Sequence, residues 1–532
     1  MRLGSTGRFL VSAAALVIAA SGCAGGTQQT ASKSGGTLVY AVPFSVASLD
    51  PHRENEDTTS IMIGQVYDTL VHVDPDVPTK LDPGLATSWD ANSDNTVFTF
   101  HLRTNAGFSN GNPVTADDVK FSLDRLWNLQ ASPSFIMQGV KSVDVVDPHT
   151  VRLTTAASDG ALLDKMSFTM TAIIDSKTAQ AQGATSDAQA ATTDKAEAYF
   201  NAVHTLGSGP FMLSLYSPND QFVLVRNPHY WGSKTGVDKV IIKDIPDSTT
   251  ERQLLERGDI QIAGAIDYAT AQQLANESGI KIGYAHSLNL IYLFMTGSPQ
   301  VSAPLSNKLV HQAISHAIDF QSILKLASGH AQQPPTTIPL GLLGADTVSP
   351  PKHDVNLAKQ LMAQAGYGNG FEVPFTYANE VKYNIDCNLL AQILQANLAQ
   401  IGIKLDLKPV TEDEFFAKFR SRQDPIGFSF WTPDYVDPDD YTGPFWDSDV
   451  NFLTHRLQWH NPDVDALYPK SLSTTGQERI QVYKQLQELF QQDPVMIGLI
   501  QPDYVLAYRD KVHGFKLVWE LRMHDFSPVT LS

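Results

Sequence analysis

The sequence predicts an α/β protein of several lobes, each assembled from interleaved stretches of chain. Three observations carry this. Period-two strand patterns alternate with helical patterns along nearly the whole length. No long Pro/Gly/Ser-rich seam divides the chain after Gly36, which favours lobes built from discontinuous segments over domains in series. At roughly 150 residues per domain, 532 residues amount to three or four such units.

The first segment is an address. Arg2 and Arg8 are the only charged residues before Lys33, and Phe9 to Ala20 is an apolar run of 12 residues leading into Ser21, Gly22 and Cys23. A basic start, a short apolar core and small residues predict a secretory signal over residues 1–22. A membrane span would need roughly 20 apolar residues. Ala20-Ser21-Gly22-Cys23 resembles a bacterial lipobox, without the usual Leu three residues before the Cys. That resemblance implies a lipid anchor on Cys23, diacylated and stably held; the alternative is an ordinary signal with an incidental cysteine. Residues 23–35 are small and polar, a flexible tether. The best later apolar stretch, Leu288 to Met295, is only of strand length, so the body is expected outside the cytoplasm as a membrane-anchored lipoprotein.

The elements follow in order. Thr37 to Val42 reads as a strand. In Thr96 to Arg103, Phe98, Phe100 and Leu102 share one face, the signature of a half-buried strand. Asn110-Gly111 is a turn. Thr115 and Asp118 form a capping box for a helix with Val119, Leu123, Leu126 and Trp127 on its apolar face. Ala179 to Lys195, rich in Ala, Gln and Thr, reads as a surface loop or weak helix. Leu309, Ala313, Ala317 and Leu324 mark a helix. Asp354 caps another, carrying Leu357 and Leu361 and ending at Gly366. Leu390, Ile393, Leu394, Leu398 and Ile401 stripe a third, stopped by Gly402. Ile403, Leu405 and Leu407 alternate with charges as a strand, and Ile480, Tyr483, Leu486 and Phe490 mark a late helix.

Composition excludes several classes. The apolar fraction of 42% is too high for a disordered chain. The 38 basic and 56 acidic residues give a net charge of −18, or −20 once residues 1–22 are removed, a field that repels nucleic acid. Two cysteines rule out a disulfide scaffold or a cysteine-rich metal site; Cys387 lies in an apolar helical pattern and reads as buried filler. No phosphate-binding glycine loop, nucleophile elbow or zinc-binding helix is present, so no catalytic residue, metal or cofactor is assigned.

Carboxylates cluster once, at Asp434, Asp437, Asp439 and Asp440, after the apolar stretch Phe428 to Trp431. A solvated turn and a calcium site are two readings of such a cluster. A third is an amine site, because Trp431 and Tyr435 flank Asp434, and a carboxylate shielded by aromatic surface attracts an ammonium group.

Phe98–Leu126, with its strand, Asn-Gly turn and capped helix, resembles the signature of the extracellular solute-binding proteins of ABC importers, family 5, the dipeptide- and oligopeptide-binding type. SLDPH at Ser48–His52, VYDTLVHVD at Val66–Asp74, PGLATSW at Pro83–Trp89, GSGPFMLSLY at Gly207–Tyr216, RNPHYWG at Arg226–Gly232, RGDIQIA at Arg257–Ala263, HQAISHAID at His311–Asp319 and AKQLMAQAGY at Ala358–Tyr367 fit the same family in order. The resemblance runs from about Gly36 to the C-terminus. It implies a periplasmic-binding-protein-like α/β fold (type II, cluster C-like) of two main lobes with a hinge plus a third, smaller lobe. Lobe I would take residues 36–73, 206–293 and 492–532, lobe II 74–205 and lobe III 294–491. It further implies a monomeric, non-enzymatic protein that captures small peptides, closes on them and delivers them to a membrane permease. Asp434 would accept the peptide's ammonium group, with Trp431 and Tyr435 as walls or packing. Ser45 and Val46 would line the cleft from lobe I, their backbone pairing with an extended peptide. No basic residue for the ligand's carboxylate is identified; Arg420 and Arg422 are merely near in sequence. Other members bind nickel chelates, glutathione, opines or oligosaccharides, so a non-peptide solute is the alternative, and a secreted hydrolase a more distant one.

Overall fold

The computed structural model describes residues 35–450, 452–520 and 523–532, with the Asp57 side chain left out. The signal over residues 1–22, Cys23 and nearly all of the tether lie outside the described residues. Three larger sheets organise the chain. A mixed seven-stranded sheet runs, edge to edge, Ile280–Ala285, Tyr504–Arg509, Ile262–Ala263, Thr37–Ala41, Lys239–Lys243, Gln221–Arg226 and Phe211–Ser217. Thr37–Ala41 is parallel to both its neighbours. A four-stranded antiparallel sheet runs Ala86–Ala91, Val97–Leu102, Thr150–Thr155 and Val140–Asp147. A six-stranded sheet runs Ala331–Gln332, Met496–Pro502, Leu290–Met295, Ile426–Trp431, Phe371–Ala378 and Ile403–Val410.

Local sequence accounts for these elements. Phe98, Phe100 and Leu102 are buried as their alternation predicts. The helix Ala116–Asn128 starts on the expected capping box, the Thr115 amide donating to Asp118 Oδ2 at 2.9 Å. The strand Phe371–Ala378, the helix Cys387–Ala399 and the parallel strand Ile403–Val410 make one crossover unit, the helix being the connection that parallel strands require. Gly402 takes a φ of 83° at the turn between helix and second strand, where a side chain would be strained. Cys387 is fully buried, and burial pushes its thiol up to about 12. No described helix is long and apolar enough to cross a membrane.

Three sequence expectations need correction. Trp127 is 37% exposed, because it sits at the edge of the apolar stripe, while Phe121 is buried on the same helix. The helix expected through Leu324 breaks at Ile318; Asp319 caps a second, short helix by accepting from the Gln321 and Ser322 amides. Ala179 to Lys195 is more than a surface loop: it delivers Asp194 to a buried ion network. There Arg125 Nη1 and Nη2 donate to Asp50 at 2.8 and 2.5 Å, and its Nε donates to Asp194 at 2.8 Å. Arg125 Nη1 also donates to His52 Nδ1 at 3.0 Å, and the other ring nitrogen donates to the Ala172 carbonyl at 2.9 Å. Burial, followed by the Arg125 charge, pushes His52 down to about 4, so it is the neutral form that serves here.

Buried apolar side chains form two clusters. One gathers the six-stranded sheet with its helices and an adjoining part of the seven-stranded sheet around Leu255 to Leu274. The other gathers the remaining seven-stranded sheet and the four-stranded sheet. The chain crosses between the seven- and six-stranded sheets at 286–289 and again at 503, side by side. His286 and Asp503 pair across the two crossings at 2.7 Å, and Gln501 Nε2 donates to the Ser287 carbonyl at 2.7 Å.

Candidate functional site

The acidic segment follows Ile426–Trp431, whose side chains are buried up to Trp431. Pro433 and Pro438 end extended pairing, and Asp437 caps the one-turn helix Pro438–Tyr441 by accepting from the Asp439 amide at 2.8 Å. The chain therefore turns back tightly, and its four carboxylates separate into different roles. Asp437 accepts from both terminal nitrogens of Arg479, at 2.7 and 2.8 Å. Asp439 accepts from the Tyr435 hydroxyl at 2.8 Å and from the Tyr468 hydroxyl, and Lys165 lies 3.5 Å away. Asp440 Oδ2 accepts from Trp431 Nε1 at 3.0 Å and from the Asp434 amide at 3.1 Å. These three are 2–4% exposed. Asp434 is half-buried, the most accessible of the four.

The electrostatics follow from that burial. For Asp439, burial acts to raise the carboxyl; the Lys165 charge and the two tyrosine hydroxyls outweigh it and hold the group below its ordinary value. Among the described residues no cation pairs with Asp440: burial first, and the Asp434 charge second, push it well above its ordinary range. Burial opposes the charge on Arg479, but Asp437 outweighs it and keeps the guanidinium protonated. Such an arrangement gives an acidic, aromatic-walled loop with one approachable carboxylate, suited to a cationic group.

The aromatic residues are fixed as well. Trp431 meets Phe445 and Phe452 edge to face, with centroids 5.1 and 5.9 Å apart. Tyr435 is 7% exposed. Ser45 is exposed and Val46 half-buried; they follow the first strand of the seven-stranded sheet, so the nominated residues come from both sides of the molecule. Ser45 already gives its carbonyl to the Thr59 hydroxyl at 2.5 Å, which removes one group from those a strand-like ligand would use. Val46 and Tyr435 share one hydrophobic cluster. Two cavities of about 380 and 370 Å³ lie elsewhere, and none of Ser45, Val46, Trp431, Asp434 and Tyr435 lines either.

Sequence reasoning missed the cations of this loop. Arg420 lies over the Phe416 ring at 5.4 Å and Arg422 reaches His455 at 3.1 Å; Arg479 and Lys165 are the ones that meet the aspartates. Both are remote in sequence, and nothing local marks them.

Comparison with known proteins gives the family. Residues 80–452 match the model of the bacterial extracellular solute-binding proteins, family 5. The chain is 31% identical over 485 residues to a probable D,D-dipeptide-binding periplasmic protein of Escherichia coli, covering 90% of this chain and 91% of that one. It is 27% identical over 523 residues to heme-binding protein A of Haemophilus influenzae, covering 92% of each. Among solved structures, an ABC transporter-associated periplasmic binding protein of Helicobacter pylori in complex with the peptide STSA superposes with a TM-score of 0.77 at 26% identity, covering 94% of this chain and 98% of that one. With the family model matched over most of its length and its α/β sheets superposing on a member's, this chain belongs to the bacterial extracellular solute-binding proteins, family 5.

Proposed function

We propose that this protein captures small peptides outside the cytoplasm and hands them to the membrane permease of an ABC importer, without turning them over. One observation carries the reading. A structure holding a peptide matches 94% of this chain, and the curated relative at 31% identity is named for dipeptide binding. The lobes are residues 36–73, 206–293 and 492–532 (I), 74–205 (II) and 294–491 (III), and the paired crossings near 286–289 and 503 are the hinge. Asp434 anchors the ligand's ammonium group; its support is its half-exposed position in the loop that carries Trp431 and Tyr435. Trp431 and Tyr435 shape the wall, and Ser45 and Val46 line the facing side. Cys23 carries the lipid that tethers the monomer to the membrane.

Calorimetry against a library of di- to pentapeptides tests this. Saturable heat with a subset is expected, and no heat with any peptide refutes it. In Asp434→Ala the affinity for the best peptide should fall by about 1.5–3 kcal/mol, the worth of a charged hydrogen bond, or roughly 10- to 150-fold in Kd. An unchanged Kd removes Asp434 from the site.

A further inference from the structure

We propose that the protein carries its own closing clasp, in which Tyr435 and Lys165 cross between the two sides in opposite directions and set the fraction of closed molecules before any solute binds. That the gap they span is the solute cleft rests on the function proposed above.

Tyr435 crosses first. It belongs to the loop after Ile426–Trp431, and its neighbours Val436 and Tyr441 lie in the cluster of the six-stranded sheet. Its own side chain is counted in the other cluster, the only described residue between 290 and 502 to be so. The ring is planted in the opposite side while the hydroxyl reaches back to Asp439. Lys165 crosses the other way. It ends the short helix Leu162–Lys165, whose Leu162 is buried in the second hydrophobic cluster, approaches Asp439 to 3.5 Å and lies 5.5 Å over the Tyr435 ring. Around them the surfaces touch closely: Asn95 Nδ2 donates to the Leu472 carbonyl at 3.4 Å, and a Cβ on Gly160 would stand 2.8 Å from the same oxygen.

The contact is built to be undone. Separating a buried ion pair ordinarily strands a bare charge on each side, at large cost. Here each charge keeps a partner from its own side. Lys165 retains Asp159, at 3.0 and 3.2 Å. Asp439 retains the Tyr468 and Tyr435 hydroxyls. Opening therefore gives up the Lys165–Asp439 interaction, the Asn95–Leu472 hydrogen bond and the burial of one aromatic ring, but strands neither Lys165 nor Asp439 as a bare charge. The Asp437–Arg479 pair fixes the loop so that Tyr435 is already aimed.

Small-angle scattering of the purified protein with no solute added tests the clasp. The parent should scatter as a mixture in which the closed shape is measurably populated. Lys165→Met and Gly160→Ala should each leave about tenfold fewer closed molecules per open one, a usual scale for conformational coupling, with circular dichroism unchanged. Lys165→Arg, which keeps the cation, should restore closure, and Tyr435→Phe, which keeps the ring, should lie between. A parent with no measurable closed population, or Lys165→Met and Gly160→Ala variants that scatter like the parent, would overturn the clasp. Because no peptide is present, these results stand or fall separately from the calorimetry.

Discussion

Arg125→Leu is expected to lower stability by about 3–5 kcal/mol, the scale for removing one partner of a buried ion network. The guanidinium is fully buried and binds two carboxylates that are themselves inaccessible, Asp50 and Asp194. Leucine fills part of the volume but leaves the two acids only the peripheral Arg53, at 3.5 Å from Asp50 and 3.3 Å from Asp194. Urea unfolding checks this: the midpoint should drop while the slope stays constant. The pH dependence gives a second signature. In the parent, burial acts to raise Asp50 and Asp194, but the Arg125 charge and its hydrogen bonds outweigh it and hold both low. Their stabilisation is present above the ordinary carboxylate value, about pH 4, and is lost as pH falls through the lowered values. Without Arg125, only Arg53 opposes burial and both carboxyls move up from their lowered values, so acidification should narrow the gap between variant and parent. Arg125→Lys should fall between, since one ammonium cannot reproduce the fork that meets Asp50 and Asp194 together. An unchanged midpoint for Arg125→Leu would remove this network from the forces holding the fold.

Glu251→Gln is expected to do the opposite and stabilise the protein at alkaline pH by on the order of 2–3 kcal/mol, an allowance below the full linkage value because buried acids relax locally. Glu251 lies in the helix Ser248–Arg257 and is fully buried. One oxygen accepts from the Ala265 amide at 3.0 Å; the other has no hydrogen-bond partner among the described residues. Burial pushes the carboxyl up from 4.5 to about 8, against the pull of that amide. The sign follows directly. An acid with a raised folded value favours the fold while it is protonated. That contribution is complete below the unfolded value and is lost as pH rises through about 8. Glutamine keeps an acceptor for Ala265 and has no charge to desolvate. Unfolding free energies at pH 5, 7 and 9 should be nearly equal for parent and variant at the first and diverge at the last. Parallel curves across that range would mean that Glu251 titrates as in water.

Patterns confined to a few neighbouring residues were readable from the sequence. The Phe98/Phe100/Leu102 alternation and the Thr115–Asp118 box depend on period and spacing alone, and both hold in the structure. The ordered motifs from Ser48 onward pointed to the family that the comparisons establish. What escaped was whatever depends on which surfaces meet. The four aspartates of one short segment look equivalent in sequence; the arrival of Arg479, Tyr468 and Lys165 from distant segments makes Asp437 and Asp439 structural, while Asp440 is held by Trp431 and the Asp434 amide of the same loop. The stretch Ala179 to Lys195 reads as a surface loop or weak helix because the partner of its Asp194, Arg125, lies in another element. Trp127 was misassigned for a related reason: helical period ranks the residues of a face but does not say where a neighbouring element stops covering it.

The order of strands in the seven-stranded sheet bears on how the molecule comes into being. Thr37–Ala41, the first strand, sits near the middle, and its neighbours begin only at Lys239 and Ile262. The far edge is completed by Tyr504–Arg509, which is inserted between Ile262–Ala263 and Ile280–Ala285. Such distant pairings must pay loop closure before they return any contact energy, so folding is slow. A chain that has emerged only as far as Ile280–Ala285 still lacks the strand that joins that segment to the rest of the sheet. Until its last few dozen residues are free, the protein can hold no finished core on that side, and the half-made sheet offers bare edges to chaperones and to aggregation alike.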